Sequence, residues 1–257
     1  MDYNLHTHTW RCGHAAGTEE EYIIRALENG IRTMGFSDHM PFRCADGYEE
    51  TTTRIPTEQA MDYTRDLRAL REKYRDRIKI HIGFEMEYFP DHFEEMLKNA
   101  RKWGGEFLLL GQHYVVPEHP DGKHSKLPSD DVAELEAYAD SLVSGMETGV
   151  FTYVAHPDVF LFTGAPEAYR KAMRKVCVAS RQHSVPLEIN FYGIRDHRYY
   201  PTEAFWEVAG EEQCPVTFGF DAHDAISAYD DASLATALRI VEKYGLNYIG
   251  RPPLVRI

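Results

Sequence analysis

The sequence predicts an α/β protein whose strands close into a barrel, on three observations. Short apolar runs alternate with longer helical patterns along the whole chain, seven or eight times, as expected for parallel strands joined by crossover helices. The length, 257 residues, suits one α/β barrel, which takes about 250. Histidines and acids recur at the C-terminal ends of the apolar runs, the rim on which α/β proteins carry their sites. An open doubly wound sheet is the competing architecture. No Gly-x-Gly-x-x-Gly fingerprint supports a dinucleotide-binding version of it.

The strands read in order as Tyr3–His6, Thr33–Ser37, Ile78–Glu85, Phe107–His113, Thr152–His156, Leu187–Asn190 and Val216–Phe220, with a short eighth at Tyr248–Ile249. Each is a brief run rich in β-branched, aromatic or aliphatic residues between polar segments. The first helix opens at Thr18-Glu-Glu-Glu21, which has capping-box spacing, and runs to Leu27 before Asn29-Gly30 ends it. Pro56-Thr57 precedes a second helical run to about Tyr74. Helices at Asp91–Lys102, Ser129–Glu147, Pro166–His183, Thr202–Ala209 and Ala232–Tyr244 complete the alternation. The Ile78–Glu85 run shows how a strand aims its side chains. Ile78, Ile80, Ile82 and Phe84 share the face that packs on helices, while Lys79, His81, Gly83 and Glu85 point inward.

Lysine plus arginine is 28 and aspartate plus glutamate is 41, a formal charge of −13. That excess argues against nucleic acid or an anionic membrane as partner. There is no apolar stretch of about 18 residues. The start, MDYNLHTHTW, lacks the basic and apolar segments of a secretory signal. Cys12, Cys44, Cys177 and Cys214 are widely spaced, without a Cys-x-x-Cys. These features together predict one domain over residues 1–257, a cytoplasmic protein with reduced thiols, as a monomer or small homo-oligomer.

The unusual residue is histidine, 13 in number. His6 and His8 end the first strand; Asp38-His39 follows the second; Glu85, His113 and His156 end the next three; Asp221 and His223 follow the seventh. In a parallel barrel all of these meet at one mouth. Carboxylates gathered there would repel one another unless cations intervened, and imidazole with carboxylate is a good ligand set for zinc, manganese or iron. His-x-His on an extended strand puts both rings on one side, about 7 Å apart at the backbone, within reach of one ion. A lone histidine at a strand end is commonly a hydrogen-bonded structural residue, but repetition on six strands favours metal. His6, His8, His14, His39, Glu85, His113, His156, Asp221 and His223 are too many donors for one tetrahedral ion, so several ions sharing a bridging carboxylate are expected. His81, His92, His119, His124, His183 and His197 lack the placement and read as structural or surface residues. His81 is expected below Glu85, as a hydrogen-bonding support.

The motifs His6-Thr-His8-Thr, Cys12-Gly-His14-Ala, Ser37-Asp-His39, Gly83-Phe-Glu85, Gly111-Gln-His113, Ala155-His156-Pro-Asp, Glu188-Ile-Asn190 and Gly219-Phe-Asp-Ala-His223 resemble the polymerase and histidinol phosphatase (PHP) family. The likeness runs in order from residue 1 to about 225 and is nearest to the histidinol-phosphatase branch. It implies a distorted (β/α)7 barrel with a trinuclear centre of zinc, iron or manganese at its C-terminal rim. Residue by residue, His6, His8, Glu85 and Asp221 would hold the first ion. Glu85 would bridge to a second, completed by His113 and His156. His14, His39 and His223 would hold a third. Glu85 and Asp221 are the implied catalytic carboxylates. The branch often carries a basic residue after the His-Pro-Asp segment, where this chain has the apolar Val159-Phe-Leu-Phe-Thr163.

The chemistry implied is hydrolysis of a small phosphomonoester, histidinol phosphate first, another phosphorylated metabolite or nucleotide second. A cation-activated hydroxide would attack phosphorus in line. Arg195 is the leading phosphate-binding candidate, Arg11 the second and Arg198 a third, because an arginine fork matches phosphate oxygens. A metal-bound water, Asp158 or His197 would protonate the leaving group. No Gly-x-Ser-x-Gly or Cys-x5-Arg motif supports a covalent route. An amidohydrolase also uses His-x-His, but typically bridges its metals through a lysine where Glu85 stands here. A catalytically dead module would not be expected to retain nine ligands. The segments Arg43–Arg54 and Val116–Pro128 are long enough to act as lids or specificity loops.

Overall fold

The computed structural model describes residues 1–44, 46–117 and 122–257. Among them, eight strands form one parallel sheet in strict sequence order: Tyr3–Asn4 (β1), Thr33–His39 (β2), Lys79–Met86 (β3), Phe107–Leu110 (β4), Phe151–Val154 (β5), Leu187–Asn190 (β6), Pro215–Gly219 (β7) and Asn247–Tyr248 (β8). The open doubly wound alternative requires a reversal of strand order, and there is none. The first and seventh strands also meet. Past their ends Thr7 and Ala222 form a parallel bridge, with the His8 N–H donating to the Ala222 carbonyl at 2.9 Å. β8 pairs only with Pro215 and Val216, at the start of β7. The sheet therefore curls as in a TIM-like barrel.

The helices are Glu19–Glu28 (α1), Ala60–Tyr74 (α2), Phe93–Trp103 (α3), Val132–Glu147 (α4), Pro166–His183 (α5), Phe191–Arg195 (α6), Glu203–Glu212 (α7) and Asp231–Tyr244 (α8). Thr18 caps α1 with the reciprocal Glu21 contact that its spacing predicts. The five-residue α6 was not expected. It is too short to show helical periodicity, and it forms because the Asn190 side chain accepts the Gly193 N–H at 3.0 Å.

Alternation along β3 is as predicted. Ile78, Ile80, Ile82, Phe84 and Met86 join the large buried cluster between sheet and helices. The barrel interior holds a smaller cluster of Tyr3, Leu5, Phe107, Leu109 and Tyr153. Phe107 occupies space left by two glycines. A Cβ on Gly35 would lie 2.9 Å from its ring, and one on Gly83 would lie 2.4 Å from its carbonyl oxygen. His81 is inward and buried but does not support Glu85. It faces the Phe107 ring and stands 3.8 Å from Glu106, toward the N-terminal end of β4. Four residues, two pleat repeats, separate it from Glu85, and the Phe107 ring lies at its level. No disulfide links the four cysteines among the described residues. No helix among the described residues is long and apolar enough to cross a membrane.

Candidate metal centre

The nine side chains expected to converge do so. All but His14 sit at a strand end or within four residues beyond it, and His14 follows the short 3-10 helix Trp10–Cys12 in the loop after β1, so the common parallel direction brings positions 6 to 223 to one rim. Glu85 is at the middle. Its Oε2 lies 3.4 Å from His6 Nε2, 3.5 Å from His8 Nε2 and 3.1 Å from His39 Nδ1. Its Oε1 lies 2.7 Å from His156 Nε2 and 3.7 Å from His113 Nε2. Gly111 makes room, because a Cβ there would fall 1.9 Å from Glu85 Oε1. Asp221 Oδ1 stands 3.0 Å from His8 Nε2, 3.6 Å from His6 Nε2 and 3.3 Å from His223 Nδ1. His156 and Asp221 hold left-handed backbone, φ 30° and 46°. A non-glycine residue is rarely found there unless its surroundings impose it.

A second layer of carboxylates fixes which nitrogen faces inward. Glu188 Oε1 takes His6 Nδ1 at 2.9 Å, Asp38 Oδ1 stands 3.3 Å from His8 Nδ1, and Glu87 Oε1 stands 3.4 Å from His113 Nδ1. An anion on Nδ1 holds the proton there and leaves the Nε2 lone pair toward the centre, the arrangement typical of metal-bound imidazole. Glu87 also pairs with Arg54. Glu188 accepts the His156 N–H at 3.1 Å and Asn190 Nδ2 at 2.9 Å; Asn190 donates to Asp221 Oδ2 as well, at 3.0 Å. Sequence reasoning gave Glu87 and Glu188 no such roles. The signal was the two-residue period, which puts Glu87 on the Glu85 face and Glu188 beside Asn190.

His14 and His223 test whether cations suit this set. Each Nδ1 is 3.1 Å from a backbone carbonyl, Cys12 and Asp221 respectively, and a carbonyl only accepts. Each Nδ1 thus carries the proton, and two bare Nε2 atoms face one another at 3.0 Å. Two lone pairs at that distance call for a positive charge. Burial, first of all, holds both rings below the ordinary imidazole value, His223 well below. A shared proton is therefore the poorer solution and a cation the better one. His8 Nε2, His156 Nδ1 and Asp221 Oδ1 are buried without a hydrogen-bond partner. Donor atoms close within 4.8 Å of one another in His6–His8–Asp221, His6–Glu85–His156, His39–Glu85–His113 and His8–His39–His223. His8–Cys12–Asp38 closes too. There, however, Asp38 accepts Thr9 and His39 N–H groups, and the Cys12 thiol donates to the Thr9 carbonyl, so that trio supports the loop.

Burial alone would raise Glu85 and Asp221. The imidazoles override it, chiefly His39, His113 and His6 for Glu85, and His6 and His223 for Asp221, and both carboxyls fall well below their usual range. The cluster floors a cavity of about 330 Å³ whose walls include Tyr114, His124, Lys126, Val159, Tyr192, Arg198, Tyr199 and Tyr200. Arg198 lies 4.0 Å over the Tyr192 ring. Arg195 and Arg11, the expected phosphate ligands, do not line it. Arg195 pairs with Asp230 at 3.1 Å and donates to the Phe220 and Asp221 carbonyls. Arg11 is buried between Glu19 and Asp66. His197 is exposed and off the cavity. Asp158 is buried, pushed up to about 6 by that burial, and accepts the Thr202 N–H at 2.6 Å. His124, read as structural or surface, is a cavity residue. His119 lies outside the described residues, as does part of each predicted loop, Arg43–Arg54 and Val116–Pro128.

The model of the PHP domain family matches residues 4–191, from β1 to the start of α6. The chain belongs to the PHP domain family. Asp221 and His223 lie beyond the matched part of the PHP domain and join its site through β7. A probable histidinol-phosphatase of Deinococcus radiodurans is 27% identical over 228 residues, 85% of each chain. The histidinol-phosphatase of Bacillus subtilis is 22% identical over 250 residues, covering 86% of this chain and 92% of the relative. Among solved structures, a histidinol phosphate phosphatase of Lactococcus lactis in complex with zinc, L-histidinol and phosphate superposes with a TM-score of 0.71. It covers 96% of this PHP chain and 95% of its own, at 18% identity, a likeness of fold.

Proposed function

We propose that this PHP protein is a metal-dependent phosphomonoesterase that hydrolyses histidinol phosphate to histidinol and phosphate. The observation that carries the reading is the set of bare imidazole nitrogens, His14 and His223 above all, facing each other across buried carboxylates on the floor of a cavity. The relatives named histidinol-phosphatase span most of the chain and supply the substrate. The whole of 1–257 is read as one domain, with β1–β7 as the barrel proper and β8 as an addition at its base.

Up to three divalent transition ions, zinc, iron or manganese, belong here. His6, His8, Glu85 and Asp221 suit one, Glu85, His113 and His156 a second, and His14, His39 and His223 a third. Bound, such ions activate water near neutral pH and offset charge on phosphoryl oxygens. The chain does the rest. Glu85 and Asp221 hold the donor set together. Lys126 and Arg198 offer cationic groups to the phosphate, while the Tyr192, Tyr199 and Tyr200 walls narrow the access of bulk water. Metal charge at contact distance also reconciles anion binding with a net charge of −13.

A second substrate reading has its own support. Besides Glu85 and Asp221, the described lining residues hold no carboxylate, while Lys126 and Arg198 add cationic groups; Arg54, also in the lining, is paired with Glu87. That balance favours a compound with a further anionic group, such as a nucleotide. Phosphate release measured over a panel including histidinol phosphate, glycerol phosphate and nucleoside monophosphates, with and without chelator, tests both. The leading reading requires the highest kcat/KM on histidinol phosphate and loss of turnover on chelation. A nucleotide at the top of the panel would replace it, and release from no ester would end the phosphatase reading.

A further inference from the structure

His124 lies on the segment between β4 and α4, tied to the stretch that carries His113. Tyr114 and His124 form an antiparallel bridge, and the Ser125 N–H donates to the His113 carbonyl at 2.8 Å. The imidazole lies edge-on to His113, 5.6 Å between ring centres, and 4.9 Å from the Tyr114 ring. It lines the same cavity as His113, His156 and Glu85. Its tautomer follows from one contact. The Lys126 backbone N–H donates to His124 Nδ1 at 3.0 Å, so Nδ1 is an acceptor and the ring proton is on Nε2. Among the described residues no hydrogen bond to Nε2 exists, and it is not among the buried orphan atoms, so it is open to a ligand. A second proton on Nδ1 would point at the Lys126 N–H. The ring is therefore built to donate a hydrogen bond and not to carry an extra proton.

We propose that His124 donates a hydrogen bond from Nε2 to the ester oxygen of the phosphomonoester, stabilising the departing alkoxide while keeping its own proton. The inference rests on the phosphatase reading. In the step, a water oxygen forms the new P–O bond as the ester P–O bond breaks, and the pair from the broken bond stays on the ester oxygen. The proton that alkoxide finally takes is the one the attacking water releases. His124 contributes a fixed donor where negative charge grows.

The test compares two esters. An alkyl phosphate, histidinol or glycerol phosphate, leaves as a strongly basic alkoxide; 4-nitrophenyl phosphate leaves as a weakly basic phenolate that needs little help. His124→Phe and His124→Ala should lower kcat on the alkyl ester by about 10- to 100-fold and on the aryl ester by less than about threefold, with metal content and melting temperature unchanged. His124→Gln, which keeps an N–H, should recover part of the alkyl activity. Equal losses on both esters would assign His124 to phosphate binding or structure, and no loss on either would remove it from the reaction; both overturn the proposal. Wild-type protein releasing phosphate from neither ester would instead fail the phosphatase reading, and this one with it.

Discussion

Replacing Glu85 by glutamine keeps the volume of the side chain and removes the charge that His6, His8, His39, His113 and His156 all face. Because one carboxylate serves several donor groups, Glu85→Gln should lower bound metal by at least one ion per chain and kcat by more than about 100-fold. The circular dichroism spectrum should stay native; elemental analysis beside a phosphate assay checks both. Asn190 makes a sharper case. Its amide joins the carboxylates of Glu188 and Asp221 and its carbonyl caps α6. Asn190→Asp keeps the cap acceptor but sets a third negative group against those two. The metal-stripped variant should lose about 2 kcal/mol in urea titration, and added zinc should restore much of it. At this scale the inner residues were legible and their supports were not. A strand-end histidine beside an acid is a local pattern. That Glu188 reaches His6, 182 positions away, depends on how two strands meet. Arg195 and Arg11 misled for the same reason: their partners Asp230, Glu19 and Asp66 are set by tertiary packing.

The strand that places Glu85 also packs the barrel, through glycine. Gly83→Val would drive side-chain atoms into the Phe107 carbonyl and ring, 2.4 and 2.6 Å from a bare Cβ. The cost should be about 1–3 kcal/mol of stability, read as a lower urea midpoint, with a larger loss of metal affinity than a surface substitution produces. Strand centres were legible because the two-residue period is strong there. Strand ends were less so. β4 stops at Leu110 rather than continuing to His113, since Gln112 turns its side chain to the Tyr88 N–H and carbonyl and the chain leaves the sheet. β2 runs on to His39 because β3 offers partners that far. Neither is visible in one segment alone.

For the molecule as a whole, cations bound only by the folded form raise its stability by mass action, about 2.7 kcal/mol at a hundredfold excess over Kd. Chelation should lower the melting temperature by several degrees, and stoichiometric zinc should reverse it. Acid stability has a separate source at the opposite end of the barrel. Burial pushes the Glu106 carboxyl up, but His81 and Arg71 outweigh it and bring it from the usual 4.5 to about 2. A depressed carboxyl stabilises fully above its unfolded value and loses that stabilisation as pH falls toward its folded one. Glu106→Gln should therefore cost about 1 kcal/mol at pH 7, after discounting for solvent screening, and flatten the decline between pH 4.5 and 2 in thermal melts. The α/β alternation that predicted the barrel was legible across the entire length, since each unit repeats the same pattern. The curl that brings β1 to β7, through the Thr7–Ala222 bridge, joins residues that no local pattern relates.

That bridge sets an order of events during synthesis. The amino-terminal histidines leave the ribosome first, yet their partners Asp221 and His223 are made more than two hundred residues later. A nascent chain can lay down strand upon strand as it emerges, but its first loop stays without its full set of facing donor atoms until the seventh unit arrives. A complete donor set thus reports that the seventh strand has been made.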